Sequence, residues 1–343
     1  GPIWDSSQGN RNDIPGTFYP YIWLGGGERG LCYAADCDRG WSLDNNTPVV
    51  QVERAGNTVL LRLNFITKLT ALDGERSFEF GLMASPAKPM PEHPVNWRRW
   101  IPHYYPDLPQ MQPFNIVGSC PYYGCLSFDL YPLGRDYSIY EAFSEARNTG
   151  VYNEQFVNQW LTKYPAYIGD DPERTEYYTR HVRAGMRNAA SLTRAQGWLW
   201  TPYTNPRGMA FHLEEWPVFQ DEWISQPYFR RVTAGSVGYD IQPVESFRDA
   251  AVWYYREMLR CFDGIYWDNV YMAANRDTVT SDAWVDEQGV VHPSMGLWDM
   301  RELMRRTAIM LNEQGRTAYP NVPHMTNTNI VPLLSFATVN LDW

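Results

Sequence analysis

The feature that most constrains this chain is a change of hydrophobic period roughly a third of the way along it. Up to about residue 85, apolar and polar residues alternate through "YPYIWLGGGERGLCYAADCDRGW", "VVQVERAGNTVLLRLNFITK" and "SFEFGLMASPAKPMP". Alternation turns one side of an extended strand to a core and the other to water, so these stretches read as β. Gly25, Gly26 and Gly27 mark a first turn, Ala55, Gly56 and Asn57 a second, and Asp73 with Gly74 a third. Punctuation of this kind gives hairpins and a sandwich sheet. The glycine triplet reads as a plain turn rather than a phosphate loop, because no helix follows it and no Lys-Ser or Lys-Thr completes the motif.

A Pro-rich passage from Pro86 to Pro113, containing "NWRRWIPHYYPDLPQ", forms the boundary. Beyond it helix-period and strand-like stretches alternate: "FNIVGSC", "IYEAFSEARNTG", "ERTEYYTRHVRAGMRNAASLTRAQG", "WLWTPYT", "VESFRDAAVWYYREMLRCF", "GIYWDNV", "LWDMRELMRRTAIMLNEQG", "PHMTNTN" and "FATVNLDW". Helix alternating with buried strand implies parallel β/α units. Gly197 and Gly315 stand where helix C-caps belong, and Asp263-Gly264 turns the chain into a strand. About five strands are countable where a closed barrel needs eight. The last run stops inside an apolar strand-like stretch, and the chain has no initiator Met. The expectation is therefore a multidomain α and β protein, with an antiparallel β-sandwich over residues 1–95 and a (β/α)8 TIM-type barrel over 96–343 that is truncated at the C-terminus. A shortened open sheet is the alternative. No internal repeat or low-complexity tract is visible.

At 343 residues the chain exceeds one ordinary core, in keeping with two domains. Its net charge of -10 and lack of a Lys/Arg cluster argue against nucleic acid as a partner, and no apolar run is long enough to span a bilayer. Fifteen Trp and 23 Tyr exceed what a core requires, and flat rings with a polar handle suit sugar stacking as well as half-buried packing. Cysteines stand as two close pairs, Cys32 with Cys37 and Cys120 with Cys125, plus Cys261. Neither pair has zinc-site spacing, so no metal is expected; disulfides in an exported protein and buried free thiols both fit. An exported protein would be secreted or periplasmic, which is the expected location. Oligomeric state is not readable.

In a parallel barrel the active site forms at the C-terminal ends of the strands. Four strands here end in polar residues: Tyr203, Thr204 and Asn205; Asp268 and Asn269; Asn327; and Asn340 and Asp342. Within "DGIYWDNVY", Asp268 closes an apolar strand beside Trp267, a candidate sugar platform, and is the first candidate for catalysis; a helix N-cap or a salt-bridged core acid is the structural reading. Asn269 suits binding a hydroxyl or orienting Asp268, since an amide is no acid. The stretch "PRGMAFHLEEWPVFQDEW" reads as a long loop with four carboxylates, Glu214, Glu215, Asp221 and Glu222, among Trp216, Phe219 and Trp223. Glycoside cleavage needs two carboxyl groups, one protonating the departing oxygen and one acting as nucleophile or base. Asp268 with Glu215, Asp221 or Glu222 would satisfy that; a solvated helix face is the structural reading of the loop acids. Tyr203, Asn205, His212, Trp216, Trp267, Asn269, His324, Asn327 and Asp342 are the candidate substrate contacts, although a lone His is as readily a structural donor. A cation between Asp268 and Asp342 stays open. No GxSxG elbow, HExxH pair or dinucleotide fingerprint is present, so no cofactor is expected.

At "YIWLGGGERGLCYAADCDRGW", "RSFEFGLMASPAKPMP" and "DGIYWDN" the chain resembles uncharacterised bacterial glycoside-hydrolase-like proteins related to glycoside hydrolase family 123. The resemblance spans both domains. It implies a β-sandwich joined to a (β/α)8 barrel, and an Asp-Glu pair acting in substrate-assisted retention on β-N-acetylgalactosaminides. Asp221-Glu222 and Asp286-Glu287 are the adjacent pairs available, the former in the richer aromatic setting. The functional expectation is hydrolysis of an oligo- or polysaccharide by carboxylate acid/base catalysis, in the acetamido-assisted form if that pair serves. A catalytically inert carbohydrate-binding protein and a polysaccharide lyase are the alternatives.

Overall fold

The computed structural model describes residues 1–9, 14–87, 115–118, 138–163, 172–191, 193–196, 198–201, 203–210, 215–227, 230–233, 236–260, 262–315, 324–326, 328–337 and 339–340. The chain divides into two compact units, Gly1–Lys88 with Met272–Trp298, and Pro89–Tyr271 with Asp299–Trp343. The segment 272–298, which the linear reading kept with the C-terminal half, thus packs with the first residues of the chain.

In the first unit the alternating stretches become two antiparallel sheets. Strands β1 (Pro2–Asp5), β4 (Val50–Ala55) and β5 (Thr58–Leu63) form one, in the order β1-β4-β5, and β2 (Tyr21–Gly25), β3 (Gly30–Ala34) and β6 (Gly81–Ser85) form the other, in the order β2-β3-β6. The β4–β5 hairpin closes on Gly56 and Asn57 with Ala55 opposite Thr58, and Gly56 takes the positive φ of 60° that such a tight turn demands. The glycine triplet turns β2 into β3, with Gly25 opposite Gly30. Both sheets contribute to one core around Phe18, Tyr33, Trp41, Val49 and Val50, into which Trp4, Ile22, Leu61 and Leu63 pack. Trp41 meets Phe18 and Phe65 edge-on, with ring centroids 5.4 and 4.6 Å apart. Part of the aromatic surplus seen in the sequence is therefore core. Cys32 and Cys37 stand as free thiols, both pushed up to about 11 chiefly by burial. Cys120, Cys125 and Cys261 lie outside the described residues, as does most of the Pro-rich passage.

The second unit contains the expected β/α alternation. Strand β7 (Asn115–Gly118) pairs in parallel with β8 (Trp198–Thr201). Beyond β8 the chain forms β9 (Tyr203–Thr204), β10 (Gly208–Ala210), β11 (Arg230–Thr233), β12 (Ser236–Asp240) and β13 (Ile265–Trp267). A short antiparallel hairpin, β14 (Trp284–Val285) with β15 (Val291–His292), belongs to the first unit. The chain returns with β16 (His324–Thr326) and β17 (Val339–Asn340). A parallel sheet orders β9, β13, β16 and β17 side by side in chain order. All five strand-like runs of the sequence thus appear as parallel-paired strands. An eight-stranded closed barrel is not seen among the described residues.

Helices α1 (Ser138–Thr149), α2 (Glu154–Lys163), α3 (Pro172–Ser191), α4 (Trp216–Trp223), α5 (Glu245–Met258), α6 (Leu297–Glu313) and α7 (Val331–Leu334) complete the described elements. Gly315 caps α6 at φ 72° with its N–H on the Asn312 carbonyl, as the sequence predicts, whereas Gly197 lies outside the described residues. At the start of β13 the Asp263-Gly264 turn has a second purpose: the Asp263 carboxylate meets the wholly buried Arg147 of α1 at 2.7 Å. Burial alone would lower the Arg147 guanidinium, and Asp263 opposes that.

Candidate active site at the strand ends

Strand β13 is central, with Trp267 opposite Thr204 of β9 on one side and Thr326 of β16 on the other. The ladder runs one residue past the strand, since the Asp268 N–H donates to the Thr204 carbonyl at 2.9 Å. Asp268 is therefore held at the C-terminal lip of the sheet, where parallel sheets place their chemistry. Asn269 follows at φ 58°, the one positive-φ residue other than glycine among the described residues. Asn tolerates this left-handed conformation better than most residues, and outliers of this kind gather at functional sites.

Strand alternation assigns the faces. Trp267 is wholly buried and meets Tyr255 of α5 edge-on at 6.2 Å, and the Thr204 hydroxyl donates to the Tyr266 carbonyl at 3.1 Å. Tyr255 is pushed up to about 12 by burial, which outweighs the opposing effect of the Trp267 and Thr204 side chains, and stays a neutral phenol. Trp267 thus faces the helix layer, and period-two geometry turns Tyr266 and Asp268 to the opposite face. This corrects the expectation that Trp267 is a sugar platform: a ring with no exposed surface packs the core.

The stretch expected to be a long loop is mostly structured. Strands β10, β12 and β11 form an antiparallel sheet in that order, and residues 216–223 form α4. The missed signal is spacing: Trp216, Phe219 and Trp223 recur at helical intervals, and Pro217 suits a first turn. Trp223 stacks on Phe219 at 5.2 Å and meets Phe247 of α5 edge-on at 5.4 Å. Trp216 is buried at 5% exposure, so the expected substrate contact is packing. Glu215 accepts a 2.6 Å hydrogen bond from the Tyr254 hydroxyl, and Glu222 accepts one of 2.7 Å from Ser246. The Trp223 indole N–H donates to the same Ser246 oxygen at 2.8 Å. Two loop acids are thus engaged by hydroxyls of α5. Asp221 is exposed.

The residue that sequence reasoning missed is Arg207, buried at 2% exposure in the turn after β9. Its guanidinium donates to the Gln242 side-chain carbonyl and to the Tyr271 carbonyl, three residues beyond Asp268, and lies 5.6 Å from the Tyr271 ring centroid. Asn205 shapes the same turn, its side-chain oxygen accepting the Arg207 N–H at 3.0 Å. A fixed cation thus ties the loop after β9 to the loop after β13. Only its place, three residues past a strand end, could have drawn attention to it. Tyr203 opens β9 and His324 opens β16, so His324 stands at the N-terminal end of its strand rather than in a loop. His212, Glu214, Asn327 and Asp342 lie outside the described residues, and with Asp342 the suggested cation pair. Asp286-Glu287 belongs to the β14–β15 turn, where the Asp286 carboxylate accepts the N–H groups of Gln288 and Val290. No group of His, Cys, Asp and Glu that could hold a metal occurs among the described residues, and no described helix is long and apolar enough to cross a membrane.

No known protein family and no curated protein matches the sequence. Among solved structures, an α-galactosidase from Thermus thermophilus in complex with stachyose aligns at a TM-score of 0.34 and 12% identity, over 93% of this chain and 57% of that one. The galactosidase domain of the α-galactosidase-sucrose kinase AgaSK aligns at 0.33 and 9% identity, over 95% of this chain and 46% of that one. This chain spans about half the length of each. Scores of this size do not establish a shared fold.

Proposed function

We propose that this protein hydrolyses glycosidic bonds of an oligo- or polysaccharide, with Asp268 acting at the anomeric carbon. The observation that carries this reading is the placement of Asp268 at the lip of the central parallel strand, fixed by the ladder bond to Thr204 and followed by left-handed Asn269. A carboxylate held there can attack the sugar carbon or stabilise charge developing on it, and Asn205 and Asn269 offer amides to ring hydroxyls. The parallel strands β9, β13, β16 and β17 lie side by side in chain order, the order a β/α barrel would use, and this supports the reading.

The second carboxyl is assigned to Asp221, the exposed acid of α4. Glu215 and Glu222 already accept hydrogen bonds from Tyr254 and Ser246. Adjacent residues on a helix do not face each other, so Asp221 and Glu222 diverge. That favours direct two-carboxylate catalysis over the acetamido-assisted scheme, which needs both acids on one sugar.

The test is turnover of a chromogenic glycoside panel. In Asp268→Asn, kcat is expected to fall by about 10³-fold or more, with circular dichroism unchanged. Asp221→Asn is expected to lose most with poor leaving groups, which need the acid. Undiminished turnover in Asp268→Asn overturns the assignment. Unsaturated, ultraviolet-absorbing products instead of reducing ends would identify a lyase.

A further inference from the structure

The first unit contains a cavity of about 1040 Å³ beside the β14–β15 hairpin, lined by residues of that hairpin and of the 38–46 and 68–76 segments. We propose that this cavity is a saccharide-binding site separate from Asp268, in which one ring of a neutral oligosaccharide stacks on Trp284.

Trp284 is a preorganised platform. Its indole N–H donates to the Asp38 carboxylate at 2.9 Å, and its ring stacks on the His292 imidazole, with centroids 4.4 Å apart and planes 25° apart. His292 is pinned in turn, one ring nitrogen 2.7 Å from Asp38 and the other 3.3 Å from Asp286. An indole whose only donor is already engaged offers a ligand carbon surface alone, in a fixed plane, so little side-chain entropy is lost when a flat ring settles on it. Trp284 remains half-buried while lining the cavity.

The rest of the lining suits a neutral polyol. Asn45, Asn46, Thr70 and Gln288 bring amide and hydroxyl groups, both donors and acceptors, and all but Thr70 are exposed. The lining carries no excess of cations: His292 faces Asp38 and Asp286, and the two other cations, Lys68 and Arg76, share the lining with Asp44 and Glu287. An anionic ligand, a nucleotide or a uronate chain, would find no surplus of cations. A purely apolar ligand would leave the amides unpaired, at a cost per buried group that outweighs its own transfer. The volume is at the upper end of small-ligand pockets, roughly 300–1,000 Å³, and leaves room for more than one sugar ring.

The inference does not rest on hydrolysis at Asp268, and its test separates the two. The full-length Asp268→Asn protein is titrated calorimetrically with cellohexaose, xylohexaose, mannohexaose, maltohexaose and a linear galactotetraose, and with ATP as the anionic control. At least one neutral sugar is expected to bind saturably and ATP is not. Trp284→Ala should weaken that sugar about tenfold or more, and Trp284→Phe, which keeps a stacking face, by no more than about threefold. Asn45→Ala combined with Gln288→Ala alters only exposed side chains, and should weaken binding about threefold even if Trp284→Ala fails to fold. The wild-type protein should bind the same sugar alike, whether or not it is turned over. Absence of saturable heat with all five sugars, binding of ATP in their place, or indifference to both the Trp284 and the Asn45/Gln288 substitutions overturns the proposal.

Discussion

Arg207 shows what one side chain does at the strand ends. A guanidinium with five donors in a planar fork bridges Gln242 and the Tyr271 carbonyl, where a lysine could meet one partner well and the other poorly. Arg207→Met keeps much of the stem and deletes the donors, and is expected to cost about 2–4 kcal/mol, because the buried Gln242 and the part-buried Tyr271 carbonyl lose charge-assisted bonds. Arg207→Lys should recover less than half of that. Urea unfolding midpoints at constant m-value measure both. His292 adds a pH dependence. Its hydrogen bond to Asp38 leads in raising its proton affinity, with burial opposing, and Asp286 also contributes. Stability from a raised group is fully present below its unfolded pKa, about 6.5, and is lost as pH rises through the higher folded value. Asp286 has the opposite sense: its carboxyl is lowered, first by the Val290 N–H, so its contribution is present above about 3.9 and is lost as acid titrates it. The melting temperature of wild type minus that of His292→Gln should therefore be larger at about pH 6 than at about pH 9. A difference that grows with pH would contradict a raised His292. At this scale the position of Asp268 at a strand end was legible, because it closes an apolar run; Arg207 was not, because nothing in sequence tells a buried arginine from a solvated one.

At the scale of elements, periodicity revealed what covers a core and missed what is short. The strands β7, β8, β13, β16 and β17 and the helices α1, α3, α5 and α6 fall, to within a residue, inside stretches whose period declares them. Helix α4 was hidden because its eight residues carry one aromatic ridge amid acids, and the acids suggested a loop. Strands β10 to β12 were hidden because runs of three to five residues show too little alternation to register. The physical role of α4 is to pack on α5, with Ser246 as the shared contact. Ser246→Ala leaves the wholly buried Trp223 indole N–H without its acceptor and removes the donor to Glu222, and should cost about 1–3 kcal/mol. Glu222→Gln keeps an acceptor for the hydroxyl and should cost less than about 1 kcal/mol, with kcat within about threefold of wild type. A collapse of kcat in Glu222→Gln without loss of stability would transfer the acid role from Asp221 to Glu222.

At the scale of the whole molecule, the sequence could show antiparallel strands followed by β/α units but not that the first unit is completed from far along the chain. Residues 272–298 have short strands and turn chemistry that fit either half, and only contacts at a separation of about 260 residues assign them. Asp36 makes several of those contacts, beside those of Asp38 to Trp284 and His292. Its carboxylate accepts the Ser294 hydroxyl and the Leu297 N–H, and its backbone carbonyl accepts the Met295 N–H at 2.8 Å. It therefore fastens the returning segment to the β2-β3-β6 layer and satisfies the first N–H of α6, an end that a helix cannot satisfy itself. Asp36→Ala removes the side-chain acceptor and leaves the Leu297 N–H and Ser294 hydroxyl, both buried, without it. Local opening of 272–298 is then expected to become easier while the parallel sheet is unaffected, because no strand of that sheet touches the lost bonds. Limited proteolysis reads this directly: cleavage within the exposed 285–290 turn should accelerate about tenfold or more in Asp36→Ala at unchanged rates elsewhere. Asp36→Asn, which keeps one acceptor, should fall between. Because Trp284 lies in the same segment, a sugar bound there should restore protection to both variants in proportion to its occupancy. Uniform acceleration over the whole chain would instead show that Asp36 supports global stability and that the returning segment does not open independently.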